Sequence, residues 1–227
     1  MKSAISLHAL LDTKSNTDNT QATSGGGPYG LACAHSLPKD KLKGVAVVVG
    51  IGSPDMSKRG LSWLNYAALL FGNYLSPSVA KWFFGSMPIG RLDLPVEQRV
   101  DMMRDDFAKA KLHPREKEFM KDRERLEDEF RVVTKVGQEA FGAGYHGVSQ
   151  EAMLLTKPWT FRIEDIRKDL PVQLWYATHD DKAPPAVGKE TKRRLGENAT
   201  LRLLDETHGS LQWHYQEKII ENLVGLM

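Results

Sequence analysis

Three short runs of continuous apolar residues constrain the fold more than any other feature of the sequence. They read GVAVVVGIG (44–52), VQLWYAT (172–178) and TLRLLDE (200–206). Runs of this length without polar alternation are typical of parallel strands that are buried on both faces of a sheet. Helical patterns flank them, and Gly196 is a plausible end for the helix between the second and third runs. The alternation predicts an α/β fold, a parallel sheet flanked by helices.

Composition narrows the classes of partner. The chain has 227 residues, of which 41% are hydrophobic, so it can bury a full core. Its 31 basic and 29 acidic residues give a formal net charge of +2, which offers no electrostatic reason to expect a nucleic acid or a membrane. No apolar stretch is long enough for a membrane span, and no secretory signal is recognisable. We expect a small-molecule partner, no stable membrane insertion and a cytoplasmic location, and we expect Cys33, in an apolar run, to be a buried and unreactive thiol.

The pattern divides the chain into three parts. Residues 1–21 are expected to be an irregular N-terminal segment, residues 22–52 and 161–227 the α/β core, and residues 53–160 a helical insert. In the insert, the run LSWLNYAALLFGNYLSPSVAKWFFGSMP predicts two short apolar helices that are broken near Pro77.

The insert carries two groups of apolar side chains. One could line a cavity, although ordinary helix packing is the favoured interpretation; it consists of Trp63, Tyr66, Phe71, Tyr74, Trp82 and Phe83. The other recurs at a spacing that puts its members near one helical face; it consists of Phe119, Leu126, Phe130 and Val133.

The stretch QATSGGGPYGLACA (21–34) contains a candidate nucleophile, Ser24. A serine hydroxyl needs a neighbouring base to take its proton and a sharp backbone turn to present it. Ala22 and Gly26 lie two residues before and after Ser24, so the pattern is the G-x-S-x-G nucleophile elbow with alanine in place of the first glycine. The small residues that follow predict a helix whose N-terminus lies beneath the serine and favours negative charge there. Taken alone, the same string also suits a flexible loop.

A candidate acid and a candidate base follow in the order that such an elbow requires. Asp180 follows the run 172–178 and precedes Pro184, where the next helix is expected to begin. His208 follows the run 200–206. Asp181 and Asp55 are alternative acids.

Two other histidines, His179 and His214, could be mistaken for bases or metal ligands. With one cysteine and no tight cluster of His, Asp or Glu at ligand spacing, we expect no metal site.

Together these segments resemble the α/β-hydrolase fold, specifically its serine hydrolases with a helical lid. The resemblance rests on SGGGPYGLACA, VAVVVGIGSPD, LLTKPWTFRIEDI, PVQLWYATHDDKAPP and LRLLDETHGSL, which span residue 22 to the C-terminus. It implies that Ser24 is the nucleophile, His208 the base and Asp180 the acid that orients it, with the amide of Gly25 as one oxyanion donor. It also implies that residues 53–160 are the lid, that the substrate is an ester, amide or related acyl compound, and that no cofactor is needed.

The chain departs from this family before Ser24. Only 23 residues precede the serine, TDNTQAT lacks the aliphatic character of a central strand, and no HG-type oxyanion loop is recognisable. We therefore expect the N-terminal part of the domain to be missing and the open edge of the sheet to favour self-association. The function is expected to be that of a serine hydrolase, impaired by this truncation. The alternative is a catalytically inactive relative that acts as a binding or interaction protein, and a cofactor-free haloperoxidase-like activity would use the same three residues.

Overall fold

In the part of the chain that the structure describes, a parallel sheet of four strands forms the centre. The computed structural model describes residues 18–118 and 121–225. All neighbouring strands are parallel and follow chain order across the sheet; they are β1 (Asp18–Thr23), β2 (Leu42–Val48), β3 (Val172–Ala177) and β4 (Ala199–Leu204). The α/β prediction is confirmed, and the three apolar runs overlap β2, β3 and β4. The predicted burial on both faces does not hold for β4, which lies at the end of the described sheet and is only partly buried.

Helices cover both faces of the sheet. On one face lie α1 (Gly27–Ser36), against β1 and β2, and α8 (Pro185–Leu195), against β3 and β4. The other face carries α9 (His208–Val224), which crosses β1, β2 and β3. β2 and β3 are therefore enclosed on both sides, and this explains their continuous apolar sequence. As predicted, α8 ends just before Gly196, whose φ of +84° is favourable for glycine.

β1 has a polar sequence because its side chains meet polar groups of α9. The Asn19 amide donates to the carbonyl of Leu223 at 2.7 Å, and the Gln21 amide donates to Gln216 at 3.0 Å. The sequence predicts an irregular segment over residues 1–21. Residues 18–21 instead belong to β1, and residues 1–17 lie outside the described part of the chain. Within the described residues β1 pairs with β2 alone, so self-association through its outer edge stays a prediction.

The insert, residues 53–160, is helical. Its helices are α2 (Trp63–Phe71), α3 (Pro77–Phe84), α4 (Val96–Lys109), α5 (Pro114–Lys117), α6 (Arg123–Phe141) and α7 (His146–Thr156). The predicted break near Pro77 is confirmed, because α3 begins there and Ser76 caps it. Among the described helices, none combines the length and apolarity that crossing a bilayer requires.

A second small core holds the insert together. Val100 and Met103 of α4 pack against Phe130 of α6. The buried guanidinium of Arg99 donates to three backbone carbonyls, those of Pro88, Ile89 and Thr134.

The predicted apolar face of the insert holds in part. Leu126 and Phe130 pack in this second core, whereas Val133 is exposed and Phe119 lies outside the described residues.

The aromatic side chains of the insert do not pack as expected. The sequence favours ordinary helix packing, but six aromatic side chains are between 40% and 80% exposed. They are Trp63, Tyr66, Phe71, Tyr74, Trp82 and Phe83. Cys33 does behave as predicted: it is buried against the main core, and burial raises the pKa of its thiol.

Candidate active site

Ser24 lies at a sharp turn between β1 and α1. Its φ is +52°, a left-handed conformation that costs a non-glycine residue about 1–3 kcal/mol and that persists only where the surroundings impose it. A short 3-10 turn (Ser24–Gly26) leads directly into α1, and the carbonyl of Ser24 accepts a hydrogen bond from the amide of Ile51 at 3.1 Å. The turn is the strand-to-helix elbow that the sequence pattern predicted.

Small residues allow α1 to lie close to the strands beneath this turn. A Cβ atom placed on Gly30 would lie 2.5 Å from the Cβ atom of Ala22. A Cβ atom on Gly27 would lie 2.8 Å from the Cα atom of Gly50, in the loop after β2. Both distances are shorter than side chains tolerate, so the spacing of small residues around Ser24 follows from the close approach of helix and strand.

His208 is the first residue of α9 and reaches back to the serine. Its Nε2 atom lies 2.9 Å from the Oγ atom of Ser24. The preceding residue, Thr207, caps the helix, and its side chain and that of Ser210 form a capping box with the backbone amides. The base candidate therefore projects from a helix end whose backbone is fixed by local hydrogen bonds.

Asp180 completes the hydrogen-bonded chain. One carboxylate oxygen, Oδ2, lies 2.7 Å from Nδ1 of His208. The other, Oδ1, accepts hydrogen bonds from the amides of Lys182 at 2.8 Å and Ala183 at 2.9 Å, and the side chain is fully buried. An ionised carboxylate can only accept hydrogen bonds, so the network assigns the proton of neutral His208 to Nδ1. Nε2 is then an acceptor for the hydroxyl proton of Ser24.

The alternative acids lie in other surroundings. The Asp55 carboxylate pairs with Arg194 at 2.7 Å, and hydrogen bonds from Ser53 and Arg194 hold its pKa below the usual range. Asp181 is exposed, and its backbone carbonyl accepts a hydrogen bond from the amide of Ser62 at 3.0 Å. The carboxylate in contact with His208 belongs to Asp180.

The two other histidines named from the sequence bind carboxylates. His179 Nε2 lies 2.8 Å from Asp205, and His214 bridges Glu206 at 3.1 Å and Glu118 at 3.3 Å. Among the residues that the structure describes, no three His, Cys, Asp or Glu side chains form a group that could hold a metal ion.

Gly25 follows the serine and faces open space. A Cβ atom built on it would meet nothing within 4 Å. It lies at the start of the 3-10 turn that continues into α1, where backbone amides have no partner within the helix and the helix dipole favours negative charge. The role of the Gly25 amide as an oxyanion donor stays a prediction.

Comparison with known proteins identifies the fold. No protein-family model and no curated protein sequence matches the chain. Solved structures do match over almost its whole length. An esterase from Exiguobacterium antarcticum is 17% identical, with a TM-score of 0.54 over 99% of this chain and 71% of its own. An enol-lactonase from Burkholderia xenovorans is 18% identical, with a TM-score of 0.54 over 97% and 70%. An α/β-hydrolase fold protein from Nakamurella multipartita is 15% identical, with a TM-score of 0.57 over 98% and 73%.

The protein has the α/β-hydrolase fold. At identities below one fifth the likeness concerns the architecture, namely the parallel sheet with helices on both faces. The chain spans about 70% of the length of the esterase and the enol-lactonase.

Sequence reasoning missed the polar groups around His208. Glu206 is buried, and its carboxylate accepts a hydrogen bond from Ser210 at 2.6 Å. Thr207 contacts Glu116 of the insert at 3.0 Å. The S/T-x-x-S pattern of the capping box was visible in the sequence, whereas a contact between residues 91 positions apart left no local signal.

Proposed function

We propose that the protein is a serine hydrolase that cleaves an ester, amide or related acyl bond. His208 takes the hydroxyl proton of Ser24 as the oxygen attacks the substrate carbonyl, and the Gly25 amide stabilises the resulting oxyanion. The tetrahedral intermediate collapses when His208 gives that proton to the leaving group, and an acyl-Ser24 ester remains. Water, deprotonated by His208, then attacks the ester and releases the acid and the free serine.

The hydrogen-bonded chain from Ser24 through His208 to Asp180 carries this proposal. Its two links, 2.9 Å and 2.7 Å, have the length expected between a nucleophile, its base and the group that orients the base. The parallel sheet brings the ends of these strands to one edge, but packing alone does not require the three side chains to form hydrogen bonds with one another there. The left-handed conformation of Ser24 adds to the argument, because backbone strain of this kind concentrates at functional sites.

The substrate class follows from the chemistry of the site and from the similar structures. An acyl-enzyme route acts on esters and amides without a metal or organic cofactor. An esterase and an enol-lactonase are among the proteins of similar fold, which favours a carboxylic ester. In this proposal the insert, residues 53–160, is the lid that shapes the substrate pocket, since its α5 contacts the N-terminal end of α9 next to His208.

A fluorophosphonate probe tests the proposal, because it phosphonylates a serine only where a base activates it. We expect the wild-type protein to be labelled on Ser24, identified by peptide mapping, and Ser24→Ala to remain unlabelled. Ser36→Ala, which removes an exposed serine at the end of α1, is the matched control and should label like the wild type. A folded wild-type protein without label on Ser24 would leave the alternative, a catalytically inactive relative that acts by binding.

A further inference from the structure

A short segment of the insert, residues 113–118, lies across the two loops that carry Asp180 and His208. The ring of His113 packs against that of His179, the residue before Asp180, at a centroid distance of 4.7 Å and an interplanar angle of 30°. The guanidinium of Arg115 donates to Asp205 at 2.6 Å, in the loop before His208. The insert therefore contacts both loops next to the hydrogen bonds that join Ser24, His208 and Asp180.

Glu116 makes the contact nearest to the base. Its Oε1 atom lies 3.0 Å from the hydroxyl of Thr207, the residue before His208. Thr207 is only 5% exposed. Its Oε2 atom accepts a hydrogen bond from the amide of His113 at 3.2 Å, which closes a capping box on α5. One carboxylate therefore joins the insert to the residue that caps α9.

The hydrogen bonds around Thr207 have a defined direction. Its hydroxyl accepts from the amide of Ser210 at 3.2 Å and has a single proton to donate. The Ser210 hydroxyl accepts from the amide of Thr207 at 2.7 Å and donates to the Glu206 carboxylate at 2.6 Å. The Thr207 hydroxyl donates its proton to the Glu116 carboxylate. Each of the two hydroxyls therefore donates to a carboxylate, Thr207 to Glu116 and Ser210 to Glu206.

Loss of the Glu116 side chain would remove one of the two carboxylates that accept protons from these hydroxyls, and the Thr207 hydroxyl would lose its acceptor in the insert. The Thr207 proton would then turn to the second lone pair of the Ser210 Oγ atom, 3.1 Å away, and the cap would lose its hydrogen bond to the insert. Because His208 follows Thr207 directly, a change in this cap moves the imidazole relative to Ser24. Displacements of about 1 Å at such a site can cost on the order of a hundredfold in rate.

We propose that Glu116 is a positioning residue of the active site: through Thr207 it holds the N-terminal end of α9 so that His208 stays in contact with Ser24. The hydrogen bonds of Glu116 go to Thr207 and His113, and not to Ser24 or His208. The catalytic consequence rests on the proposed function, whereas the positioning of the imidazole does not.

Two variants and a matched control test this role. Glu116→Ala removes both hydrogen bonds of the carboxylate. Glu116→Gln keeps an oxygen that can accept the Thr207 proton. Glu124→Ala removes an exposed glutamate of α6 and controls for the change in charge. For an ester substrate we expect Glu116→Ala to lower kcat by about ten- to a hundredfold, with KM within about twofold of the wild type. Glu116→Gln should recover most of kcat, and Glu124→Ala should match the wild type.

A proton NMR measurement provides a readout that is independent of turnover. The Nδ1 proton of His208, bonded to Asp180, should give a downfield resonance that disappears in His208→Asn. We expect this resonance to be lost or broadened in Glu116→Ala and retained in Glu116→Gln. If the alanine variant is unfolded by far-UV circular dichroism, Glu116→Asp replaces it, since it keeps the charge but withdraws the carboxylate from Thr207 and should lose the resonance as well.

The two readouts separate the two proposals. A protein that is labelled on Ser24 and whose Glu116→Ala variant keeps both kcat and the resonance overturns the positioning role alone. A folded protein that shows the resonance but is never labelled overturns the proposed function alone, and the resonance in the Glu116 variants still decides the positioning role. A fall in kcat that Glu116→Gln shares fully with Glu116→Ala also contradicts the mechanism through Thr207.

Discussion

Replacement of Asp180 by asparagine should reverse the proton positions on His208 without disturbing the fold. The Asp180 side chain is fully buried, and its Oδ1 atom accepts two backbone amides, those of Lys182 and Ala183. An asparagine keeps both bonds only if its oxygen occupies the Oδ1 position. Its NH2 group then faces Nδ1 of His208 and requires that nitrogen to be an acceptor. The imidazole proton moves to Nε2, which can no longer take a proton from Ser24.

The structure sets the size of this effect. The opposite amide orientation would turn NH2 toward the two backbone donors and leave them unpaired, at about 1–3 kcal/mol each. The productive tautomer is therefore disfavoured by roughly 2–6 kcal/mol, and since about 1.4 kcal/mol corresponds to tenfold, kcat should fall by about 30- to 10⁴-fold. Stability should change little, because the two backbone amides and Nδ1 of His208 each keep a hydrogen-bond partner.

Ester hydrolysis and ¹⁵N NMR of the histidine ring test this reasoning. We expect Asp180→Asn to lower kcat within the stated range, to shift the protonated nitrogen of His208 from Nδ1 to Nε2, and to leave the melting temperature nearly unchanged. Asp181→Asn and Asp55→Asn, the two alternative acids, should retain wild-type kcat. An Asp180→Asn variant with more than about a third of wild-type activity, or with the proton still on Nδ1, would refute the argument.

Two further predictions concern the turn at Ser24. Ser24→Gly relieves the cost of a positive φ, so in denaturant unfolding this variant should be more stable than Ser24→Ala by about 1 kcal/mol. Both variants should be inactive. If the glycine variant is equally stable or less stable, the turn is not strained. Gly30→Ala places a Cβ atom 2.5 Å from that of Ala22 and should destabilise the protein by about 1–3 kcal/mol. Gly147→Ala in α7 is the control and should not destabilise the protein, because a Cβ atom there meets nothing within 4 Å. Equal effects of the two changes would show that α1 does not pack tightly against β1.

The strands in the interior of the sheet could be predicted from the sequence because most of their residues are apolar, as burial on both faces requires. Val47 of β2 and Leu174 of β3 are buried beside each other, and both lie in continuous apolar runs. β1 could not be predicted in the same way. The side-chain amides of its polar residues Asn19 and Gln21 donate hydrogen bonds to a helix about 200 residues later, and a local pattern does not contain that information.

The order of the candidate site residues was predictable, but their contacts were not. Each of Ser24, Asp180 and His208 follows a strand, so a parallel sheet brings them to one edge. The spacing between Asp180 and Pro184 favours Asp180 over Asp181, whereas the 2.7 Å contact of Asp180 with His208 depends on loop geometry. The exposed aromatic side chains of the insert could not be foreseen either, since Trp63 or Trp82 would give the same pattern if it were packed.

The central claim is that three side chains from distant loops act as one unit, and the coupling between them measures this most directly. The quantity is the rate constant for fluorophosphonate labelling of Ser24 in wild type, Asp180→Asn, His208→Ala and the double variant. If Asp180 acts only through His208, the double variant should label as slowly as His208→Ala alone. Losses that multiply, so that the double variant is slower by the product of the two single effects, would contradict the account.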